Sequence, residues 1–514
     1  MPEKLNFLCF VVDQMRADHM GCAGNPIIQT PNLDALAASG VRFDRAYCNN
    51  PLCMPSRSTL FTGLTPRGHQ VRTNGIPLAT HYPTIVQALA DSGYRTHSVG
   101  KLHMSNFQLP RGLDPASLNP LDWPECGWMW ETGRLTATPT PYYGFQTVEL
   151  SIGHGPWTGG DYTTWRREQA PDSDRYLEQS AWRKSRYGTE QAGPTDLPDE
   201  LHYNTWVAER TIDFLNSHSA DQPFFTWCSF PDPHHPYCPS EPWASMYDPA
   251  DVVAPHRREG EERDLPPFFQ RVLYEGIPLS GRFAPTKMSE AQTREILALT
   301  YGMVSHVDTC IGRVMAALEA RGLRENTVVC FLSDHGDLMG DHWLQNKGPF
   351  HFEGLVRVPF LWSLPGRFKQ AGTQALASFL DFAPTILDLA GVDIPEGRVP
   401  AEPECAQQLP AWPGRSIAPL LLGEADRVRS LALVENDEDY LGLKLRTLIT
   451  DRYKLTAYPG QPWGELFDLQ EDPTELHNLW NDSAYGGLRQ ELQLRLLEEL
   501  VSTDSVLPRR MSHA

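Results

Sequence analysis

The chain is 514 residues long, 41% hydrophobic, 10% aromatic and 21% charged, which excludes a disordered, collagen-like or small disulfide-stapled chain and is long enough to bury a large core. Its formal charge is −20, from 44 Lys and Arg against 64 Asp and Glu, and a surface that negative repels nucleic acid and anionic membranes. No apolar run approaches the roughly 18 residues of a membrane span, so neither nucleic acid nor a membrane is expected as a partner.

Residues 5–12 are a near-continuous apolar run, which predicts a parallel strand covered on both faces, with Asp13 at its C-terminal end. The run is too short for a signal peptide and no small-residue cleavage site follows, so a cytoplasmic protein is expected. The 10 cysteines form no C-x-x-C pair and no regular ladder, as expected of buried small hydrophobes in a reducing compartment. Residues 32–39 predict a short helix stopped by Gly40. A strand over 41–47, a helix opening near Pro55, a helix over 84–90 and an extended 95–99 continue the alternation of an α/β sheet.

Residues 105–200 are crowded with Trp, Pro, Gly and Tyr and sustain no period. They are expected to form a loop-rich insertion over one end of the sheet, either a functional lid or a packing surface against a neighbouring subunit. A helix over 205–216 and a strand over 224–230 follow, then a second irregular segment, 231–288. A long helix over 290–320 places Leu297, Tyr301, Val304, Ile311, Val314 and Leu318 on one face. Residues 327–332 predict a buried strand leading to Asp334, 355–362 another strand, and 384–389 a helix. The Pro-rich stretch 395–413 reads as a hinge. Beyond it, 443–450 and 453–458 flank a Thr450-Asp451-Arg452 turn as a hairpin, and 492–501 closes the chain as a helix. The expected organisation is a catalytic α/β domain over 1–395 and a small C-terminal α+β subdomain over 414–514, with no internal repeat.

The sharpest local signal is Cys53-Met54-Pro55-Ser56-Arg57, continuing to Thr62-Gly63. Pro55 is tolerated in a first helical turn, and a group at a helix N-terminus faces free N–H donors that favour an anion. The plain alternative is a buried cysteine beside a helix start. Asp13 and Asp334 each follow a strand. Ligands in open α/β sheets sit beyond the carboxyl ends of strands, so the two carboxylates can converge, although a lone Asp after a strand is commonly a turn or cap residue.

The cysteine segment resembles the signature of the sulfatase family, within the alkaline phosphatase-like superfamily. Further blocks are similar to that family in order along the chain. They are Gly100-Lys101-Leu102-His103, Pro233-His234-His235-Pro236, Asp334-His335-Gly336-Asp337, and Asn346-Lys347-Gly348-Pro349. Residues 450–455 and 464–469 with Asp472-Pro473 resemble its C-terminal hairpin and closing strand. The likeness runs from 5 to about 480 and is weakest in 105–200 and 240–288.

The resemblance implies an alkaline phosphatase-like fold, a large mixed, mostly parallel sheet sandwiched by helices with a small C-terminal α+β domain. It implies an arylsulfatase-like hydrolase of sulfate esters. Cys53 is then oxidised to formylglycine by a separate formylglycine-generating enzyme, and the aldehyde hydrate is the nucleophile. One divalent metal, Mn or Ca, is implied on Asp13, Asp334, His335 and the position-53 side chain. Arg57, Lys101 and Lys347 face the substrate anion, His103 lies beside the nucleophile, and His234 or Lys347 protonates the leaving oxygen. Gln14 and Asn74 are added as substrate contacts, Asn74 with a plain turn as its alternative. His235, His306, His342 and His351 are read as structural.

Two departures matter. The first strand ends in Asp13-Gln14 where many sulfatases have two Asp, and the second block has Asp334-His335 where many have Asp-Asn. Both variants are similar to choline-sulfatase-like enzymes and phosphonate monoester hydrolases, and an imidazole ligand shifts preference from Ca²⁺ toward Mn²⁺. Three alternatives stand beside the sulfatase reading: a phosphonate monoester hydrolase or phosphodiesterase on the same site, a sulfatase-like protein that only binds, and a metallo-phosphatase with an unmodified cysteine. A small anionic ester is the expected partner, and a homo-oligomer is compatible with the sequence.

Overall fold

The apolar run after Lys4 forms β1 (Asn6–Val12), buried at every residue. The chain then adds β2 (Gly40–Tyr47), β3 (Arg95–Gly100), β4 (Thr147–Ile152), β5 (Gly159–Gly160), β6 (Phe224–Ser229), β7 (Thr327–Ser333), β8 (Phe360–Ser363) and β9 (Ala371–Ser378). The computed structural model describes residues 4–109, 112–178, 183–189, 191–275, 288–393, 412–439 and 441–504. The nine strands form one sheet in the order β5-β4-β3-β6-β1-β7-β8-β2-β9. From β4 to β7 all neighbours are parallel. β8 runs antiparallel to both β7 and β2, and β9 lies parallel to β2.

The principal helices are α1 (Pro31–Ala38), α2 (Cys53–Thr62), α3 (Ile85–Asp91), α4 (Asp161–Gln169), α5 (Tyr203–Ser217), α6 (Glu290–Ala320), α7 (Phe382–Ala390) and α8 (Gly486–Ser502). Alternation along β1 divides them between the faces of the sheet. Phe7, Cys9 and Val11 enter the core shared with α2, α3 and α7. Leu8, Phe10 and Val12 enter the core shared with α5 and α6. A run apolar at every position is what two covered faces require. α6 opens on a capping box between Ser289 and Gln292, and its six predicted face residues all lie in the second core. Among the described residues no helix is long and apolar enough to cross a membrane.

Three expectations change. Gly40 does not stop α1; the helix ends at Ser39, whose N–H donates to Ala35 O. Gly40 instead opens β2, where an added Cβ would lie 2.0 Å from the Trp362 carbonyl oxygen. Residues 355–362 are not one strand: Glu353–Val356 is a helical turn, Arg357 makes only an isolated bridge to Tyr47, and β8 begins at Phe360, after Pro359, which has no N–H for a ladder. The 105–200 segment is more than loops. It supplies β4, β5 and α4, whose short lengths were hidden among turn-forming neighbours. The proposed hinge at 395–413 lies almost entirely outside the described residues.

A second sheet, antiparallel in the order β10 (Leu431–Glu438), β11 (Leu443–Thr450), β12 (Tyr453–Ala457) and β13 (Gly464–Asp468), follows. α8 lays Leu492 and Leu496 on its Leu433, Leu448, Leu455 and Leu466. Its other face is apolar as well: Ala432, Val434 and Ile449 join the first core, and Leu445 and Phe467 pack with Phe350 and Phe352; polar contacts add to these. Glu435 N–H donates to Asn49 O at 2.8 Å. The Asn49 and Asn50 amides donate to Leu433 O and Glu435 O, both at 2.7 Å. Lys454 Nζ, buried, reaches Glu353 at 3.0 Å and Glu475 at 2.5 Å.

Gly40→Ala should destabilise the protein by on the order of 1–3 kcal/mol, because the clash is with backbone that cannot swing away; thermal unfolding checks this. A second prediction concerns pH. Burial pushes the Glu465 carboxyl up to about 7 although the Tyr458 hydroxyl donates to it at 2.8 Å. A carboxyl with a raised folded pKa costs stability as pH climbs from the unfolded value, 4.5, through about 7, and the cost persists above that. Glu465→Gln should therefore raise the melting temperature more at pH 8 than at pH 5, each unit of the shift being worth about 1.4 kcal/mol.

Candidate active site

Five parallel strands end at the same edge of the sheet, and each delivers polar side chains there. β1 leads into Asp13 and Gln14, β3 into Lys101 and His103, β4 into His154, β6 into His234 and His235, and β7 into Asp334 and His335. Backbone pairing carries one residue beyond the strands: Asp13 N–H donates to Asp232 O, Asp334 N–H to Val12 O and Lys101 N–H to Ser229 O, at 3.0–3.2 Å. The strand-end side chains are thus neighbours by register. α2, approaching from the loop after β2, adds Cys53 at its first position and Arg57 one turn on.

Arg57 is fully buried and donates to four strand ends. Nε donates to Asp334 Oδ2 at 2.7 Å, Nη2 to Asp13 Oδ2 at 3.3 Å, and Nη1 to Lys101 O at 2.9 Å and Ser229 Oγ at 3.1 Å. These donors hold the two carboxylates together. Asp334 Oδ1 also accepts the N–H groups of Gln14 and His335, at 3.1 and 2.9 Å.

Cys53 Sγ lies 3.1 Å from Lys347 Nζ, 3.2 Å from His335 Nε2 and 3.7 Å from Asp13 Oδ1. Burial and Asp13 push this thiol up, but Lys101, Lys347 and His335 outweigh them and bring it below its ordinary value. Burial drives Cys9, Cys48, Cys228 and Cys330 the other way. Burial likewise opposes ionisation of Asp13, yet Lys101, Lys347 and Arg57 hold it well below the usual carboxylate range. Lys101 Nζ donates to Asp13 Oδ2. Lys347 Nζ donates to His234 Nε2 at 2.9 Å and His335 Nε2 at 3.0 Å.

Asp13, Cys53, Asp334 and His335, all buried, bring one donor atom each within 4.8 Å of the others. Two carboxylates, an imidazole and a thiol suit a divalent cation, since the carboxylates offset its charge. Asp13 and Cys53 form an overlapping group with His154 and His234, but that group has one carboxylate and is the weaker match.

The remaining predicted residues lie around this centre. His234 and His235 form one side of it. His103 stacks on Phe107, centroids 3.7 Å apart at 8°. Gln14 turns its amide to Asp337 Oδ2 at 2.5 Å and His235 Nδ1 at 2.9 Å. Asn74 accepts Met54 N–H at 3.0 Å, a contact that positions the opening of α2. The histidines read as structural include His342, stacked on Phe352 and 3.2 Å from Glu261, His351 against Thr447 at 2.6 Å and His306 against Asp199 at 3.0 Å.

Two residues were missed by sequence reasoning. Glu125, buried in the 105–200 segment, accepts the N–H groups of His103, Met104 and Ser105 at 2.5–2.9 Å and so fixes the loop after Lys101. His154 places Nε2 2.5 Å from Lys101 Nζ. Its signal was readable: Val148, Leu150 and Ile152 alternate with polar residues and lead into Gly153-His154-Gly155. A cavity of about 690 Å³ opens beside His154 and His234, walled by Phe107, Trp130, Trp157 and Arg166 among others.

Residues 5–392 match the sulfatase family model, and 340–502 match that of the C-terminal region of N-sulphoglucosamine sulphohydrolase. The chain belongs to the sulfatase family. An arylsulfatase of Clostridium perfringens is 28% identical over 521 residues, covering 97% of this chain and 94% of that protein. A choline-sulfatase of Rhizobium meliloti is 25% identical over 486 residues, 93% of this chain and 82% of that protein. The crystal structure of a phosphonate monoester hydrolase of Agrobacterium radiobacter is similar at a TM-score of 0.78 and 25% identity, covering 99% of this chain and 100% of that one.

Asp13→Asn removes one of the two carboxylates from the donor set. It should lower the metal content of the purified protein, measured by elemental analysis, while the unfolding transition stays cooperative.

Proposed function

We propose that this chain hydrolyses sulfate esters, with phosphonate monoesters and phosphodiesters as related substrates of the same site. The observation that carries the reading is the convergence of Cys53 with Asp13, Asp334 and His335 at one buried centre, with Lys347 Nζ 3.1 Å from Sγ. A buried cluster of cations in a chain of net charge −20 is the local attraction that an anionic ester requires.

Oxidation of Cys53 to formylglycine would supply an aldehyde whose hydrate is an oxygen nucleophile. A divalent cation held by Asp13, Asp334, His335 and the position-53 side chain would serve as a Lewis acid, manganese suiting the His-containing set. Lys101 and Lys347 present ammonium groups to the non-bridging oxygens of the ester. Arg57, engaged behind the carboxylates, keeps them converged. Burial, His154 and Lys347 hold the His234 imidazole well below its usual pKa, and it accepts from Lys347 Nζ at 2.9 Å. The proton that reaches the leaving oxygen is drawn from this Lys347–His234 pair, the Lys347 ammonium giving it up and becoming the amine. The alcohol occupies the adjoining cavity, whose volume and aromatic wall suit a ring-bearing group.

The phosphonate reading has its own support. A sulfate monoester, a phosphonate monoester and a phosphodiester each carry one negative charge, so the same cation cluster serves all three. The 0.78 TM-score to a phosphonate monoester hydrolase, over both whole chains, agrees with that. A reducing compartment is inferred from the nine described cysteines, all free thiols.

The test is a rate comparison of an aryl sulfate, a phosphonate monoester and a phosphodiester on one preparation made with a formylglycine-generating enzyme, with peptide mass spectrometry at position 53. Aryl sulfate turnover that Cys53→Ala abolishes is expected; full activity with unmodified Cys53 would overturn the mechanism. In a series of phenyl sulfates, His234→Ala should steepen the dependence of kcat/KM on leaving-group pKa, whereas Lys101→Ala should lower all members by a similar factor, roughly 10²–10³.

A further inference from the structure

We infer that His154 is a positioning residue, which sets the plane of the His234 ring by stacking on it and aims the Lys101 ammonium by accepting one of its N–H groups. The inference rests on the reading of His234 as the group on the leaving-oxygen side.

The backbone fixes where His154 points. Gly153 and Gly155 on either side have φ of 81° and 50°, left-handed conformations natural to glycine. Added Cβ atoms would meet Trp157 O at 2.6 Å and Pro236 Cγ at 3.1 Å. The turn after β4 is therefore held against the segment that follows Trp157 and the one that follows His235, with His154 between them.

The ring makes two kinds of contact. Its face lies on His234 with centroids 3.5 Å apart at 8°, and the opposite neighbour of His234 is His235 at 4.1 Å and 30°. His234 is thus sandwiched, and His154 is the more parallel side of the sandwich. The edge contact is polar: Lys101 Nζ lies 2.5 Å from His154 Nε2. An ammonium only donates, so Nε2 accepts and the ring proton sits on Nδ1. His234 repeats the arrangement, its Nε2 accepting from Lys347 at 2.9 Å. Two lysine–imidazole pairs therefore face each other across one stack. Burial, then Lys101, holds the His154 imidazole well below its usual pKa, and burial, then His154 and Lys347, holds that of His234 there; neutral rings stack without charge repulsion.

The two contacts separate by substitution. His154→Ala removes both; His154→Phe restores a stacking face but no acceptor. In matured enzyme and a phenyl sulfate series, His154→Ala should steepen the leaving-group dependence toward that of His234→Ala, with about a tenfold loss for the most basic leaving group, the scale of one aromatic stacking contact. His154→Phe should return the wild-type slope while keeping a uniform loss from Lys101. In the double variant with His234→Ala, the slope effects should not add. A slope unchanged in His154→Ala, or one in which Phe does no better than Ala, overturns the proposal.

A second readout needs no turnover. In unmatured protein retaining Cys53, the His234 ring ¹H and ¹³C resonances should move in His154→Ala and stay near the wild-type positions in His154→Phe; unmoved resonances in His154→Ala would also overturn it. If wild type turns over no sulfate ester, the reading of function fails, and the resonances still decide whether His154 holds His234.

Discussion

The site depends on one buried guanidinium. Arg57 has no exposed surface and binds groups at the ends of β7, β1, β3 and β6. Asp13 and Asp334 are also fully buried, and two bare carboxylates there would repel each other and bear the desolvation cost of burial. A shared Arg offsets both, because its planar fork reaches two acids and two neutral acceptors at once. The arrangement leaves one negative charge uncompensated between the two acids, and that excess favours further cations, Lys101 and Lys347 among them. Breaking such a network at the Arg would expose both carboxylates to the full penalty.

Around this pair the charge is graded. Burial opposes the charge on Asp13 and on Lys347, but Lys101, Lys347 and Arg57 hold the Asp13 carboxyl low, and Cys53, Asp13 and Asp334 hold the Lys347 ammonium high. The outer ring is different: His103, His154, His234 and His235 are all pushed toward neutrality, by burial first and then by neighbouring cations, His234 by His154 before Lys347. The centre therefore concentrates positive charge, while the four imidazoles around it are held toward neutrality, so a chain of net charge −20 gathers cations at one buried place.

Much of this was readable in the sequence, for a physical reason. Covered parallel strands are apolar along most of their length, so β1, β6 and β7 stood out, and Asp13 and Asp334 marked the ends of β1 and β7. The cysteine and lysine motifs followed from resemblance. What escaped was at the edge of the sheet. β4 is partly exposed and alternates, and it sits between segments whose Trp, Pro and Gly serve local turns; its ending in His154 had no apolar run to announce it. Glu125 was invisible because its partners are backbone N–H groups 20–22 residues away. Gln14 and Asn74 were legible as site neighbours, but the direction of an amide depends on tertiary partners, Asp337 and Met54 N–H, that sequence spacing does not reveal.

The loop before Cys53 is held from far along the chain. Asn49 and Asn50 pair with Leu433 and Glu435 of β10, and the thiol itself is 1% exposed. Strand β10 leaves the ribosome some 380 residues after the cysteine. The loop that carries the cysteine into the centre is thus closed by a strand from the far end of the chain, so the second sheet, remote from the catalytic side chains in sequence, is part of what shapes their site.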